Sequence, residues 1–183
     1  ARTLEEVLEA ITLAGQCTGK EDEASQLVAE MGNRINAVTD KTANLTKSQR
    51  PRVFYVTWHD PLMTVGSKAR HDELIGLAGG INIFHDLTDT YPTISLEAVI
   101  QANPEIIIAG IGMGSGEDLP LQLALKEPRL RDIDARINDR VYGMPTDFVA
   151  RPAPRIVDGL EWLAGIIHPE IFPGLFEKYV GSD

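Results

Sequence analysis

The sequence predicts an α/β fold: a three-layer arrangement with a mainly parallel sheet flanked by helices, preceded by a long N-terminal helix. Three observations carry that prediction. Short β-rich runs at 53–56, 81–84, 105–109 and 140–143 alternate with segments of helical periodicity, the order that builds a parallel sheet through helical crossovers. After Glu105 the third run is continuously apolar, as a strand covered on both faces requires. The first fifty residues hold helical periodicity alone. They set off a helical segment, 1–50, from an α/β lobe, 51–183.

With 183 residues, 43% of them hydrophobic and 24% charged, the chain has the size and composition of an ordinary globular protein of about one domain. Seventeen basic against twenty-seven acidic residues leave a net charge of −10, which repels nucleic acid and anionic membrane surfaces. The longest apolar run falls well short of the roughly 20 residues of a membrane-spanning helix. The single cysteine, Cys17, excludes an internal disulfide and multi-cysteine metal sites. Its place after an apolar helical stripe predicts a buried, inert thiol.

The elements follow in order. Thr3 and Glu6 have capping-box spacing, and Leu4, Val7, Leu8 and Ile11 follow at i, i+3, i+4 and i+7, predicting an amphipathic helix that ends near Gly15. Thr18 and Glu21 repeat the box ahead of Ala24, Leu27, Met31, Ile35 and Val38, predicting one long helix over 20–46. Its thin apolar stripe suits a helix that rides along a surface or bridges two bodies. A strand at 53–56 precedes a loop, Thr57 to Pro61, and a helix at 67–78 is stopped by Gly79 and Gly80 before the next strand. Ser95 caps a helix that Asn103 and Pro104 end, and the apolar strand follows. Short helical pieces at 119–126 and 128–132, a strand at 140–143 and a helix carrying Ile156, Leu160, Leu163 and Ile167 complete the lobe.

Chemistry-bearing motifs are few. The glycines Gly110, Gly112, Gly114 and Gly116 follow a strand, where a dinucleotide loop would sit. Their spacing departs from G-x-G-x-x-G, and Glu117 and Asp118 would repel a phosphate. A strand-end loop lining a cleft is the simpler reading, and a nucleotide- or dinucleotide-binding enzyme is the alternative. His59, Asp60, His71, Asp72 and Glu73 are of metal-ligating type, but only sequence proximity links them. A solvated helix face accounts for the last three, and no metal site or cofactor is assigned. His168 suits the C-terminal end of a helix dipole. No serine stands in a nucleophile elbow, so no catalytic residue is assigned. The more informative set is Trp58, His59, Tyr91, Met113, Phe148 and Arg151 at strand ends and loops. Such residues suit a shallow wall for a large flat or greasy ligand, with Arg151 available to an anionic group.

Four stretches carry a resemblance. LAGQCTGKEDEA at 13–24 is similar to L-G-x-x-T-G-x-E-x-x-A; 52–84 closes on LAGGIN; Ser95-Leu96-Glu97, an apolar helix and Asn103-Pro104-Glu105 precede a strand; and Arg151-Pro152-Ala153-Pro154-Arg155 opens a final helix that ends at His168-Pro169-Glu170. Together they resemble the substrate-binding proteins of ABC importers for iron siderophores, haem and cobalamin, in which two α/β lobes are joined by one long helix. The resemblance implies that this chain is the connecting helix plus the C-terminal lobe, with a signal segment and a first lobe expected upstream. It implies a noncatalytic, extracytoplasmic protein that takes a metal-chelate small molecule between two lobes. It further implies Glu97 as the carboxylate that docks onto a membrane permease, Tyr91 as an aromatic against the ligand, and Trp58, His59 and Arg151 on loops facing the cleft.

Overall fold

The computed structural model describes residues 3–112, 117–149 and 151–180. Helix α1 (Leu4–Thr18) is capped by Thr3, whose hydroxyl accepts the Glu6 N–H at 3.1 Å. It ends on Gly19 in the left-handed region, φ 67°. The second predicted capping box does not form. Thr18 sits in the last turn of α1 and donates back to the Ala14 carbonyl at 2.7 Å, while α2 (Glu21–Thr42) starts from Lys20 with no side-chain cap. A tight turn therefore folds α2 back on α1, and Gly15 permits the approach: a Cβ there would lie 2.4 Å from Ala24 Cβ. Cys17 is exposed on this turn rather than buried. Of the apolar stripe of α1, Leu4 and Val7 are buried and Leu8 and Ile11 pack partly buried against the same core.

Strand β1 (Arg52–Val56) leads into a small antiparallel hairpin, β2 (Trp58–His59) and β3 (Leu62–Met63), where the sequence predicts a loop. Helix α3 (Arg70–Leu77), β4 (Ile81–Asn82), α4 (Leu96–Ala102), β5 (Ile106–Ile111), α5 (Leu119–Lys126), α6 (Asp134–Ile137), β6 (Val141–Pro145), α7 (Ile156–Ile167) and α8 (Glu177–Val180) follow. The main sheet has the order β4-β1-β5-β6 with every pairing parallel.

Side chains alternate across β1 and β5 and build two cores. Val53, Tyr55, Ile106 and Ile108 pack with Leu74 and Ile75 of α3, Leu160 and Leu163 of α7, and Met31 and Val38 of α2. Phe54, Val56, Ile107 and Ala109 pack with Leu96 and Val99 of α4, Ala124 of α5, and Leu130, Ile133 and Ala135. Each such large apolar side chain contributes about 1.5–3 kcal/mol on burial. Three layers result, with the central strands β1 and β5 buried on both faces.

A polar clamp holds α2 to α7. The Arg34 guanidinium donates to both carboxylate oxygens of Glu161, at 2.9 and 2.8 Å, and to Asp158 at 2.6 Å. Lys178 donates to Glu161 at 2.9 Å and the Tyr179 hydroxyl also donates to it. Burial pushes the Glu161 carboxyl up, but the hydrogen bonds from Arg34, Tyr179 and Lys178 outweigh it and hold the group at about 2. A depressed carboxylate stabilises the fold above its unfolded value of 4.5 and loses that contribution as pH falls toward about 2. Glu161→Gln is expected to destabilise the protein by about 2–3 kcal/mol, below the range of a fully buried pair. It should also flatten the decline in stability between pH 4.5 and 2. Urea unfolding across that pH range checks both.

Candidate functional site

In the order β4-β1-β5-β6 the chain leaves β1 to one side for β4 and returns to its other side for β5. The crossovers diverge at that point, which opens a crevice at the carboxyl ends of the two strands. A cleft of about 360 Å³ lies there. Tyr55 and Thr57 reach it from the end of β1, Gly110 from β5, and Thr146 and Val149 from the segment after β6. Trp58 and Met63 come from the hairpin, His71 from the first turn of α3, and Tyr91 from the loop before α4.

Local bonds fix these side chains. The Thr57 N–H donates to the Met63 carbonyl at 3.0 Å and the Thr64 hydroxyl to the Tyr55 carbonyl at 2.7 Å, closing the hairpin against β1. Trp58 Nε1 donates to the Asp60 carbonyl at 2.9 Å, which pins the indole at the cleft mouth. The Tyr91 loop lies against the segment after the hairpin. Thr64 N–H donates to Pro92, Gly66 N–H to Thr90 and Ser67 N–H to Leu87, at 3.1, 3.2 and 2.8 Å. Gly66 is required by this approach, since a Cβ there would lie 2.2 Å from the Asp89 carbonyl oxygen and 2.3 Å from that of Leu87.

The wall is aromatic and uncharged. The His71 ring meets Tyr55 edge-on at 4.7 Å and Tyr91 at 6.1 Å. Burial, with a smaller push from the Arg70 guanidinium, lowers His71 to about 4, so the imidazole is neutral at pH 7. Burial, with Tyr91 adding to it, raises the Tyr55 hydroxyl above its usual value. Thr57 Oγ1 and His71 Nδ1 are buried without a hydrogen-bond partner, as is His59 Nδ1 beside the wall.

Of the residues the sequence singles out, Trp58 and Tyr91 meet in the cleft. His59 stands behind Trp58, its ring 5.1 Å away. Phe148 is buried in the core, 5.6 Å from the Tyr179 ring, and does not line the wall. Arg151 is exposed on the segment before α7, also outside the wall. Met113 lies outside the described residues, with Gly114 and Gly116. His71 is not part of a solvated face: it is 6% exposed. Its neighbours go elsewhere, Asp72 accepting from Asn82 at 2.8 Å and Glu73 from the Leu4 N–H at 3.0 Å. Among the described residues no three His, Cys, Asp or Glu side chains gather as a metal site. The Gly112 N–H is taken by Asp118 at 2.8 Å, so that donor is turned to a carboxylate of the chain itself. His168 is buried, with Nε2 on the Gly79 carbonyl at 3.1 Å and Nδ1 on Glu170 at 2.9 Å. Tyr55, Met63 and Thr146 carry no sequence signal that separates them from core residues. His71 does carry one, a histidine one turn ahead of the apolar pair Leu74 and Ile75.

Glu97 occupies the first turn of α4, next to the Ser95 cap that accepts the Ala98 N–H at 3.2 Å. Its side chain is 73% exposed and faces Arg129 at 3.5 Å.

An aromatic cleft thus lies at the switch point of a parallel sheet, and the chain belongs to the periplasmic binding protein family, whose profile matches residues 1–148. It is 28% identical over 173 residues to an uncharacterized ABC transporter substrate-binding lipoprotein of Bacillus subtilis, covering 94% of this chain and 53% of that one. It is 29% identical over 170 residues to the cobalamin-binding protein of Halobacterium salinarum, covering 92% and 45%. Among solved structures, a possible iron-binding periplasmic solute-binding protein of Staphylococcus epidermidis matches with a TM-score of 0.76 at 26% identity, over 91% of this chain and 63% of that one. The periplasmic vitamin B12 binding protein of Vibrio cholerae shares the fold, with a TM-score of 0.73 at 23% identity over 91% and 62%. The chain spans about half the length of the curated relatives it matches. No helix among the described residues is long and apolar enough to cross a membrane.

Gly66→Ala is expected to push the 87–91 loop off its backbone partners and cost about 1–3 kcal/mol. Thermal melting of the variant checks this.

Proposed function

We propose that this chain is the interlobe helix and C-terminal lobe of an extracytoplasmic ABC-importer substrate-binding protein. Residues 1–50 form the helical segment and 51–183 the lobe. The full-length protein captures an iron-siderophore, haem or cobalamin-type chelate between this lobe and a first lobe and delivers it to a membrane permease. The observation that carries this reading is the cleft itself. Trp58 and Tyr91 stand 39% and 48% exposed at its mouth, where large aromatic side chains otherwise tend toward burial. A second body closing over them would bury both against a flat ligand.

Within this reading Trp58 and Tyr91 contact the ligand, with His59 beside Trp58, while Phe148 belongs to the core and Arg151 to the segment before α7. Half a cleft binds weakly because half of the contacts are missing. Glu97 is the docking carboxylate: it is exposed, anchored in a capped first turn, and held only by a surface pair with Arg129 that a permease arginine can replace.

Tryptophan fluorescence of the full-length protein is expected to respond to at least one of cobalamin, haem and ferric siderophores. A response to nucleotides alone would overturn the proposal. Tyr91→Ala should weaken binding by about tenfold or more. Glu97→Arg should leave melting temperature and ligand affinity unchanged but lower uptake through the reconstituted importer, most clearly with the corresponding first-lobe carboxylate also reversed. Unaltered uptake in that double variant removes Glu97 from docking.

A further inference from the structure

Among the described residues, buried polar side chains are paired almost everywhere. Asn82 Nδ2 donates to Val65 and to Asp72 at 2.9 and 2.8 Å, the Thr64 hydroxyl to the Tyr55 carbonyl at 2.7 Å, and both ring nitrogens of His168 have partners. Three exceptions stand among the described side chains, and two of them, Thr57 Oγ1 and His71 Nδ1, belong to the wall of one cleft. An orphaned buried polar atom costs about 1–3 kcal/mol. A fold that meets this cost twice at a single cavity, and not at its packed cores, leaves the missing partners to the occupant of that cavity.

We infer that the cleft floor recognises an uncharged, hydrogen-bonding face of its cargo, with His71 and Thr57 as the polar anchors. This rests on the capture reading above and adds to it the chemical class of the surface this lobe takes. His71 is 94% buried by complement of its 6% exposure, wedged edge-on between the rings of Tyr55 and Tyr91. A half-turn about Cβ–Cγ carries Nδ1 to the position of Cδ2, and Nε2 to that of Cε1, without moving α3. The neutral imidazole offers one acceptor and one donor, and the Thr57 hydroxyl can serve as either. Amide and hydroxyl groups match that pair.

Anionic groups do not match it. None of the described wall residues is charged at neutral pH, with His71 lowered and Tyr55 raised by burial. Arg70, the cation acting on His71, donates to the backbone carbonyl of Val149 at 3.1 Å. A carboxylate or catecholate pressed on this floor would lose water without gaining a described cationic partner. A phenolate from Tyr55 is disfavoured by the same burial.

The test uses the full-length protein and four probes: cyanocobalamin and ferrichrome, which present amides and no net charge, and haemin and ferric enterobactin, which present anionic groups. An uncharged probe is expected to bind most tightly. His71→Phe should weaken it by about tenfold while the melting temperature holds or rises, because the phenyl ring removes an orphaned polar atom. A side chain of purely structural value would not show that combination. His71→Gln should lose less, and Thr57→Val should weaken binding in the same direction, so the inference stays testable if the Phe variant misfolds. Tighter binding of either anionic probe overturns the inference, as does wild-type affinity in His71→Phe and Thr57→Val. If Tyr91→Ala still weakens binding in that last case, the capture reading survives alone. Failure of all four probes to bind a cooperatively melting protein overturns both.

Discussion

The parallel pairing of β1 with β5, covered on both faces, is the constraint on which the rest depends. Val53 lies opposite Ile106 and Val56 opposite Ala109, and these residues are completely buried. A slip of one residue would send Phe54 and Val56 into the face packed by α2, α3 and α7, and Val53 and Tyr55 into the other. Because all four strands run the same way, each connection must return over a face of the sheet. The two returns from β1 and toward β5 lie on opposite sides, and the space between them is the cleft. Its position follows from topology before any side chain in it is considered.

The chain treats polar groups in two ways. Where α2 meets α7, Arg34, Asp158, Glu161, Lys178 and Tyr179 satisfy one another, so a helix with a thin apolar stripe is held by directional bonds as well as by Met31 and Val38. In the cleft Thr57 and His71 are left without partners. The first arrangement fixes geometry; the second leaves unmet hydrogen-bonding capacity in the wall of the cleft.

Much of the fold was legible from local patterns. Residues 119–126 and the helix carrying Ile156, Leu160, Leu163 and Ile167 form where periodicity places them, and Ser95 and Asn103 bound α4 as their capping chemistry requires. Trp58 and Tyr91, which the sequence singles out as large aromatics at element ends, meet in the cleft. Thr18 misled because a hydroxyl can cap the next helix or bond back into its own, and Gly15 opposite Ala24 favoured the tight turn that leaves it inside α1. Cys17 follows an apolar stripe, yet it lies beyond the packed residues Leu4, Val7, Leu8 and Ile11 and is exposed. His71 looks like a surface residue beside Asp72 and Glu73, and becomes a wall residue because the Tyr91 loop is laced to 64–67 above it.

By itself the sequence determined the type and order of the main elements: the strands of the main sheet, the helices between them, and a mainly parallel sheet with a buried central strand. Those properties come from nearest-neighbour sterics, capping and periodicity, which act within a few residues. Only the tertiary structure decided that Tyr55, His71, Tyr91 and Thr146 share one cavity, that Phe148 belongs to the core, and which polar atoms lack partners. These depend on contacts between residues tens of positions apart, and solvent exclusion at such contacts has no local signature in the chain.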